Sequence, residues 1–255
     1  MNATDFLIRA KAATIHFSLS ILTAAVVAAL VFLVWYPGEY RSLAGGTELL
    51  LLIMSVDIVL GPLLTFAVYN LKKSISHLRK DIGVIVLLQL GALAYGLYVV
   101  FLARPVVLVF EFDRFRVISS AEVLKTELPQ ALPQYRDLSI TGPVVLALRK
   151  SEVGAERSNA LATAIFEGVD TSQRPKFWIP YGAEERRVAI GLARPVDDLI
   201  KKYPEAAEAV TAIAPKLASD SLKIGFLPVR AKNEGVAILD PDGHLLGLLP
   251  FDGYF

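Results

Sequence analysis

The chain contains no cysteine in its 255 residues. Disulfide bonds, thiolate nucleophiles, cysteine-ligated zinc and iron-sulfur clusters are therefore all excluded. An excess of charge of either sign is also missing, because 26 Lys and Arg stand against 25 Asp and Glu, which gives a net charge of +1. A chain without a general basic field binds nucleic acid poorly, so no nucleic-acid partner is expected.

Three long apolar runs occupy most of the first hundred positions. The chain is 54% hydrophobic and only 20% charged, with a mean hydropathy of +0.51, which is too apolar for an ordinary soluble domain. The runs hold 27, 23 and 22 residues, and Asp57 is the one charged residue inside them. A helix rising about 1.5 Å per residue needs roughly 20 residues to cross the hydrocarbon. We therefore expect three transmembrane helices, at about residues 13–36, 49–70 and 82–103.

The first span is expected to be an uncleaved anchor. A signal peptide has an apolar core of at most roughly 15 residues and ends in small residues at a cleavage site. Here the run is 27 residues long and ends in Trp35 and Tyr36, followed by Pro37 and Gly38. An aromatic pair before a turn is typical of the headgroup level of a membrane.

Basic residues in the short flanking segments predict the orientation of the spans. They are Arg9 and Lys11 before the first span, and Lys72, Lys73, Arg79 and Lys80 between the second and third. The first loop carries only Arg41. Because basic flanks face the cytoplasm, we expect a cytoplasmic N-terminus and an extracytoplasmic domain after the third span.

The remaining residues, 104–255, are expected to form a soluble α+β domain, because about 150 residues are enough for one hydrophobic core. The apolar patterns predict strands at 110–113, 114–117 and 144–148, helices at 155–166 and 196–217, and a terminal hairpin from 236–239 and 245–249. Pro195 and Pro204 both suit the first turn of a helix, so 196–217 is expected as one kinked helix or two abutting ones. The predicted fold class is three transmembrane α-helices, in a domain of residues 1–103, followed by an α+β extracytoplasmic domain.

The sequence offers no motif for catalysis or for binding a cofactor. It has no nucleophile elbow, phosphate-binding loop, dinucleotide fingerprint or H-E-x-x-H pattern. His244 is separated by the predicted membrane from His16 and His77, so a shared histidine site for a metal is not expected. The turn at 240–243 resembles the start of a calcium loop, but Phe251 stands where that loop needs Glu. No catalytic residue, metal or cofactor is predicted, and the chain is not expected to be an enzyme.

Asp57 needs a compensating partner, because a carboxylate in the middle of a transmembrane helix costs roughly 2.5 to 3.5 kcal/mol to insert. Counted from the outer ends of their spans, Asp57 and Tyr95 lie at the same depth, and Gln89 lies within a turn of Thr65. We therefore expect the Tyr95 hydroxyl to donate to Asp57, and Gln89 to pair near Thr65. These pairs would join the second and third spans.

Three roles for Asp57 stay open: an internal hydrogen-bond anchor, a contact for a transmembrane segment of a partner, and a proton relay. The relay is the weakest, because the spans hold no second carboxylate to which a proton could pass. Gly61 and Pro62 follow one turn later in the second span. The missing amide of proline and the clash of its ring predict a kink there, and a bent helix leaves a concavity.

The residues at these positions resemble a known family. They are Trp35, Tyr36 and Pro37 at the end of the first span, residues 55–65 in the second, Gln89, Leu90, Tyr95 and Gly96 in the third, and residues 104–106 and 112–115 after it. Together they resemble the type IV pilin accessory proteins of the TfpX/TfpZ kind, over roughly residues 10–120. The rest of the chain is similar in layout only.

That resemblance implies a non-enzymatic inner-membrane helper, which stabilises or presents one major type IV pilin before the pilin is built into the pilus. The implied partners are the major type IV pilin, membrane lipid and the pilus assembly machinery, and no cofactor is implied. Two other functions stay open. One is a membrane enzyme that modifies the pilin, and the other is a subunit of a larger membrane sensor or transport complex.

The candidate partner-binding or structural residues lie in the spans and just beyond their outer ends. They are Tyr36, Pro37, Asp57, Gly61, Pro62, Gln89, Tyr95, Arg104, Pro105, Asp113 and Arg114. The last four also have a plain structural interpretation, as a turn at the membrane edge and the tip of a first hairpin. The aromatic ending, residues 251–255, is open between a docked terminus and an exposed recognition segment.

Overall fold

The computed structural model of the protein describes residues 3–70, 74–149, 154, 168–215 and 224–255. The chain forms two compact units. The membrane unit comprises Met1–Val34 and Gly46–Leu102, and the C-terminal unit comprises Trp35–Gly45 and Ala103–Phe255. The helix predicted at 155–166 and the basic residues Lys72 and Lys73 lie outside the described residues.

Within its described residues, the membrane unit has three helices that are long and apolar enough to cross a bilayer. The first, α1, spans Ala3–Leu30 and continues as a π-helical turn, Val31–Trp35. The one-turn helix α2, Tyr40–Leu43, follows it, and then come α3, Gly46–Val68, and α4, Ile75–Ala103. The prediction of three spans is confirmed. Both α1 and α4 begin earlier than predicted, because the helices continue through the charged residues that precede the apolar runs.

One face of α3 is turned toward the interior of the membrane unit. Its buried residues recur every three or four positions and are Gly46, Leu50, Met54, Asp57, Gly61 and Thr65, which is the spacing of one helical stripe. The helix runs through Pro62 without interruption. The kink expected at Gly61 and Pro62 stays a prediction.

The described strands of the C-terminal unit form one mixed sheet, in the order β4-β3-β1-β2-β6-β7-β8, with β5 paired to β6. They are β1 Pro105–Glu111, β2 Arg114–Ser119, β3 Val144–Leu148, β4 Trp178–Pro180, β5 Arg194–Pro195, β6 Gly225–Arg230, β7 Gly235–Leu239 and β8 Leu245–Leu249. Strand β3 runs parallel to β1, and β6 runs parallel to β2. The neighbours in each hairpin, β1 with β2 and β7 with β8, are antiparallel.

The strand predictions at 144–148 and in the terminal hairpin are confirmed. The first hairpin differs, because β1 starts at Pro105 and ends at Glu111. Phe112 and Asp113 form the turn instead of continuing the strand, and Phe112 has a φ of 54°. The alternation of apolar and polar residues continues through this turn, so it did not show where the first strand ends.

Helices pack on both faces of the sheet. They are α5 Ala183–Leu192, α6 Val196–Lys202 and α7 Ala206–Ile213. Helices α6 and α7 cover a core that includes Phe226 and Ile238, whereas α5 covers the other face, which includes Phe115 and Leu227. The predicted segment 196–217 is thus two abutting helices as far as the described residues extend, and Leu217 lies outside them.

The loop between α1 and α3 belongs to the C-terminal unit. The predicted boundary between residues 103 and 104 placed this loop in the membrane domain instead. Leu43 is fully buried in the same core as Phe115. The backbone oxygen of Leu43 accepts a hydrogen bond of 3.0 Å from the Asn233 amide nitrogen, and Asn233 Nδ2 donates to Ser42 O at 2.7 Å. The segment 35–45 is therefore a structural part of the C-terminal fold.

Candidate partner-binding groove in the membrane unit

Polar side chains in the interior of the membrane unit link α1 to α3. His16 Nδ1 and Thr65 Oγ1 form a hydrogen bond of 2.6 Å, and Thr65 is buried. Near the same ends of these helices, Arg9 Nη1 donates to the backbone oxygen of Ala67 at 3.2 Å. Interhelical hydrogen bonds of this kind help to hold membrane helices together, because hydrocarbon offers no competing partner.

Gln89 makes the corresponding link between α4 and α3. Its Nε2 donates to the backbone oxygen of Asp57 at 3.3 Å. Gly61 leaves the space for this contact, because a Cβ atom added there would lie 2.2 Å from Gln89 Nε2. The absence of a side chain at Gly61 therefore lets the Gln89 amide reach the backbone of α3.

The pairing predicted between Tyr95 and Asp57 is wrong. Tyr95 is 70% exposed, whereas Asp57 is 8% exposed and Gln89 is its hydrogen-bond neighbour. Gln89 bonds to Asp57 and Thr65 bonds to His16, so the predicted pair of Gln89 with Thr65 is not formed among the described residues. Ile53 of α3 packs directly against Gly96 of α4. The register between these two helices is therefore shifted by about one turn from the register predicted by counting from the span ends.

These side chains line a groove of about 720 Å³ within the membrane unit. Its polar lining includes His16, Ser20, Thr23, Asp57, Thr65 and Gln89, and the rest is mostly apolar. The carboxylate of Asp57 is not fully paired: its Oδ1 is buried and has no hydrogen-bond partner among the described residues. Asp57 lies eleven residues from each end of α3, so its carboxylate enters the groove from the middle of the helix.

The other predicted candidates belong to the C-terminal unit. Tyr36 is fully buried and Arg104 is 4% exposed. Burial raises the pKa of the Tyr36 hydroxyl, and the positive charge of Arg104 opposes that rise. Arg104 Nε donates to the backbone oxygen of Ser139 at 3.2 Å. Pro37 packs against Gly142, and Pro105 begins β1.

Asp113 and Arg114 lie at the tip of the first hairpin, where Arg114 Nε donates to Asp113 Oδ1 at 2.7 Å. The Arg114 guanidinium also lies 5.3 Å from the centre of the Tyr254 ring. The hairpin tip therefore meets the C-terminal residues of the chain. The sequence analysis considered the hairpin tip and residues 251–255 separately and did not predict that they are in contact.

The aromatic C-terminus is docked on the C-terminal unit. Phe255 stacks on Phe226 with ring centres 6.0 Å apart, and Lys202 Nζ lies 4.0 Å from the Phe255 ring centre. Arg194 Nη1 donates to the backbone oxygen of Phe255. Of the two interpretations left open for residues 251–255, these contacts favour the docked terminus, although Tyr254 and Phe255 each keep about 40% exposure.

The C-terminal unit contains two charged clusters, of which the first was not predicted and the second lies in the turn that the sequence compared with a calcium loop. Glu127 Oε1 lies 2.5 Å from Arg174 Nη2 and 3.0 Å from Lys176 Nζ. The ligand atoms of Asp240, Asp242 and His244 lie within 4.8 Å of one another. In the second cluster the Asp240 carboxylate already accepts the backbone amides of Asp242 and His244, as an ordinary turn does. Side chains so far apart in sequence as Glu127 and Arg174 carry no local signal.

Comparisons with known proteins give consistent results along the whole chain. The sequence model of a family described as "Fimbrial assembly protein FimB" matches residues 4–45. A "Fimbrial assembly protein, serogroup I" from Dichelobacter nodosus is 35% identical over 256 residues, which cover 100% of this chain and 99% of that protein. The serogroup E1 protein is 36% identical over 259 residues with the same coverage, and the protein of serogroups C1 and C2 is 45% identical over 51% of this chain. No solved structure matches.

Proposed function

The chain belongs to the fimbrial assembly protein family, and we propose that it stabilises a major type IV pilin in the bacterial inner membrane and promotes its assembly into the pilus. The observation that carries this proposal is the identity of 35–36% with two fimbrial assembly proteins over the entire chain. The resemblance noted in the sequence pointed to a type IV pilus accessory family, and the comparisons confirm that assignment.

The architecture supports a binding role. A pilin that waits in the membrane has a long helix with an apolar N-terminal half and a folded head outside the bilayer. Three membrane helices and a C-terminal domain give this chain one surface for each part. The same chain can therefore protect the apolar helix and the head of one pilin.

The proposed orientation places the N-terminus in the cytoplasm and the C-terminal unit in the periplasm. It rests on basic residues at the predicted cytoplasmic ends of the spans, of which Arg9, Lys11, Arg79 and Lys80 are described. The periplasmic side would then hold both the C-terminal unit and the loop 35–45. That arrangement agrees with the loop being part of the C-terminal fold.

A non-enzymatic role is proposed because the two relatives that match the whole chain are described by fimbrial assembly and not by a reaction. In the membrane groove Asp57 has no second carboxylate beside it in the lining, and His16 is hydrogen bonded to Thr65. The hydrogen bond between His16 and Thr65 joins α1 to α3, so it is explained as a contact between helices.

The test is deletion of the gene, with measurement of pilin protein, pilin transcript, surface pili and the mass of the remaining pilin. We expect less pilin protein and fewer pili, at unchanged transcript and unchanged pilin mass, and recovery when the wild-type chain is supplied. A normal amount of pilin that lacks a modification would show a modifying enzyme instead. Normal pilin and normal pili would contradict any role in assembly.

A further inference from the structure

We infer that the groove around Asp57 binds the transmembrane helix of the pilin, and that a hydrogen-bond donor on that helix pairs with the Asp57 carboxylate. This inference rests on the proposed function for the identity of the partner. The groove itself is a property of the membrane unit alone. Its chemistry defines the occupant as an apolar helix that carries one donor or cationic group near the middle of the bilayer.

Asp57 is the first reason for expecting an occupant. The side chain is more than nine-tenths buried, it lines the groove, and its Oδ1 has no partner among the described residues. A carboxylate in hydrocarbon is strongly disfavoured unless it is paired. A buried acceptor without a hydrogen bond destabilises the protein by its full desolvation penalty.

Neighbouring groups leave that position to a partner. His16 also lines the groove, but its Nδ1 is engaged by Thr65. The Gln89 amide is hydrogen bonded to Asp57, at the carboxylate and at the backbone oxygen. Lys11 lines the groove as well, but it is twelve residues along α1 from Thr23 at the other end, which corresponds to about 18 Å. Asp57 Oδ1 is therefore an acceptor that no described residue engages.

The shape and lining of the groove fit the side chains of a helix. Along α1 the lining extends from Ile8 to Thr23, a length of about 22 Å for a helix rising 1.5 Å per residue. That length corresponds to most of a bilayer crossing. A volume of about 720 Å³ spread over this length admits a row of side chains from one face of a helix. A lipid acyl chain would also fill apolar space, but it would leave the carboxylate without a donor.

The depth of Asp57 places the donor. Asp57 is eleven residues from Gly46 and eleven from Val68, or roughly 16 Å from either end of α3. The pairing group on the pilin helix is therefore expected near mid-bilayer. In this position a donor is valuable because neither water nor lipid tails can replace it.

Photo-crosslinking in the membrane of cells that make both proteins tests the site. Leu90 lines the groove and Leu88 does not, although both lie on α4 and are more than half exposed. We expect Leu90→p-benzoylphenylalanine to crosslink to the pilin, identified by mass spectrometry, and Leu88→p-benzoylphenylalanine to do so far less. Equal pilin crosslinking from both positions, or a product that contains only lipid from Leu90, would overturn the inference.

Substitution of Asp57 tests the pairing. Asp57→Leu is expected to lower the pilin crosslink from Leu90 by roughly three- to thirty-fold, the range expected of one interhelical hydrogen bond in a membrane. Asp57→Asn should lower it less, because an amide oxygen still accepts. In cells without the pilin, the Asp57→Leu chain should accumulate to the wild-type level. An undiminished crosslink would overturn the pairing, and a fall in the chain itself would identify Asp57 as an internal anchor instead.

The two proposals fail in different ways. If deletion of the chain lowers pilin protein but Leu90 captures no pilin, the groove inference is wrong and the proposed function stands. If the deletion leaves pilin and pili normal, the proposed function is wrong whatever Leu90 captures.

Discussion

Leu88 and Leu108 are chemically identical residues with opposite surroundings in the two units. Leu88 is 67% exposed on α4 of the membrane unit, and Leu108 is fully buried in β1 of the C-terminal unit. Polar groups do not follow this contrast, because the membrane unit buries Asp57 and Thr65 and the C-terminal unit buries Glu127 and Arg174. One unit is built to present apolar side chains to lipid, and the other is built to remove them from water.

The difference shows which forces stabilise each unit. Burial of apolar area drives the folding of the C-terminal unit, because water surrounds it. Lipid tails are as apolar as leucine, so the same force does not hold membrane helices together. The membrane unit depends instead on close packing, as at Gly96 against Ile53, and on hydrogen bonds such as that between His16 and Thr65.

The largest effect on stability is expected when a leucine is truncated to alanine in the C-terminal unit, with the same change in the membrane unit for comparison. Leu108→Ala should lower the free energy of unfolding of the C-terminal unit by about 2–5 kcal/mol, because it removes buried methyl groups and leaves a cavity. Leu88→Ala, the matched change on the lipid-facing surface, should leave the fold of either unit nearly unchanged. Pulse proteolysis of the full chain in detergent micelles, over a series of urea concentrations, measures both. Similar losses from the two variants would contradict the contrast between the units.

A buried ion pair gives the next effect. Glu127 and Arg174 are 7% and 5% exposed, so Glu127→Gln leaves a buried guanidinium without its counter-charge. We expect a loss of about 3 kcal/mol in the C-terminal unit, measured by the same proteolysis. Glu184→Gln, at an exposed position of α5, is the control and should cost little.

Acid should remove the difference between the wild type and Glu127→Gln. Burial alone would raise the pKa of the Glu127 carboxyl, but hydrogen bonds from Arg174 and Lys176 outweigh it and hold that pKa below the ordinary value of 4.5. The contribution of Glu127 to stability is therefore complete above pH 4.5 and is lost as the pH falls through the lowered pKa. Unfolding measured from pH 6 to pH 3 should show the two proteins converging below pH 4.5. A constant difference over that range would contradict this assignment.

The class of fold could be predicted from the sequence, because the length of a transmembrane span depends on consecutive residues. Charged residues bound three apolar runs long enough to cross a bilayer, and α1, α3 and α4 form at those runs. The hairpin of β7 and β8 was predicted in the same way, from apolar segments on either side of a turn. Both features depend on residues that are neighbours in the chain.

The contacts within the groove could not be predicted, because they depend on how the helices pack. Counting from the span ends paired Asp57 with Tyr95, whereas Ile53 against Gly96 sets a register that brings Gln89 to Asp57. A displacement of one turn is enough to exchange every partner along a helix face. The need of Asp57 for a donor was predictable from its type, but the identity of its neighbours was not.

The boundary between the two units can be tested at Asn233. Its Nδ2 donates to the backbone oxygen of Ser42, in the loop between α1 and α3. Asn233→Ala should lower the stability of the C-terminal unit by about 1 kcal/mol, the usual net value of one such hydrogen bond. Ser42→Ala is the control, because it keeps the accepting backbone oxygen and should have little effect. Equal losses from the two variants would mean that the Ser42 side chain, rather than its carbonyl, makes the important contact.

The smallest effect is expected at Thr65, in the interior of the membrane unit. Thr65→Val keeps the shape of the side chain but removes the hydroxyl that bonds to His16 Nδ1 at 2.6 Å. Interhelical hydrogen bonds in membranes contribute about 0.6 kcal/mol on average, because the separated helices also find partners. Thr14→Val, on the exposed side of α1, is the matched control and should cost less. Unfolding of the full chain in mixed micelles of increasing SDS content, followed by helical circular dichroism, measures both variants. A loss at Thr65 as large as that from Leu108→Ala would show that polar contacts stabilise the membrane unit as strongly as apolar burial stabilises the C-terminal unit.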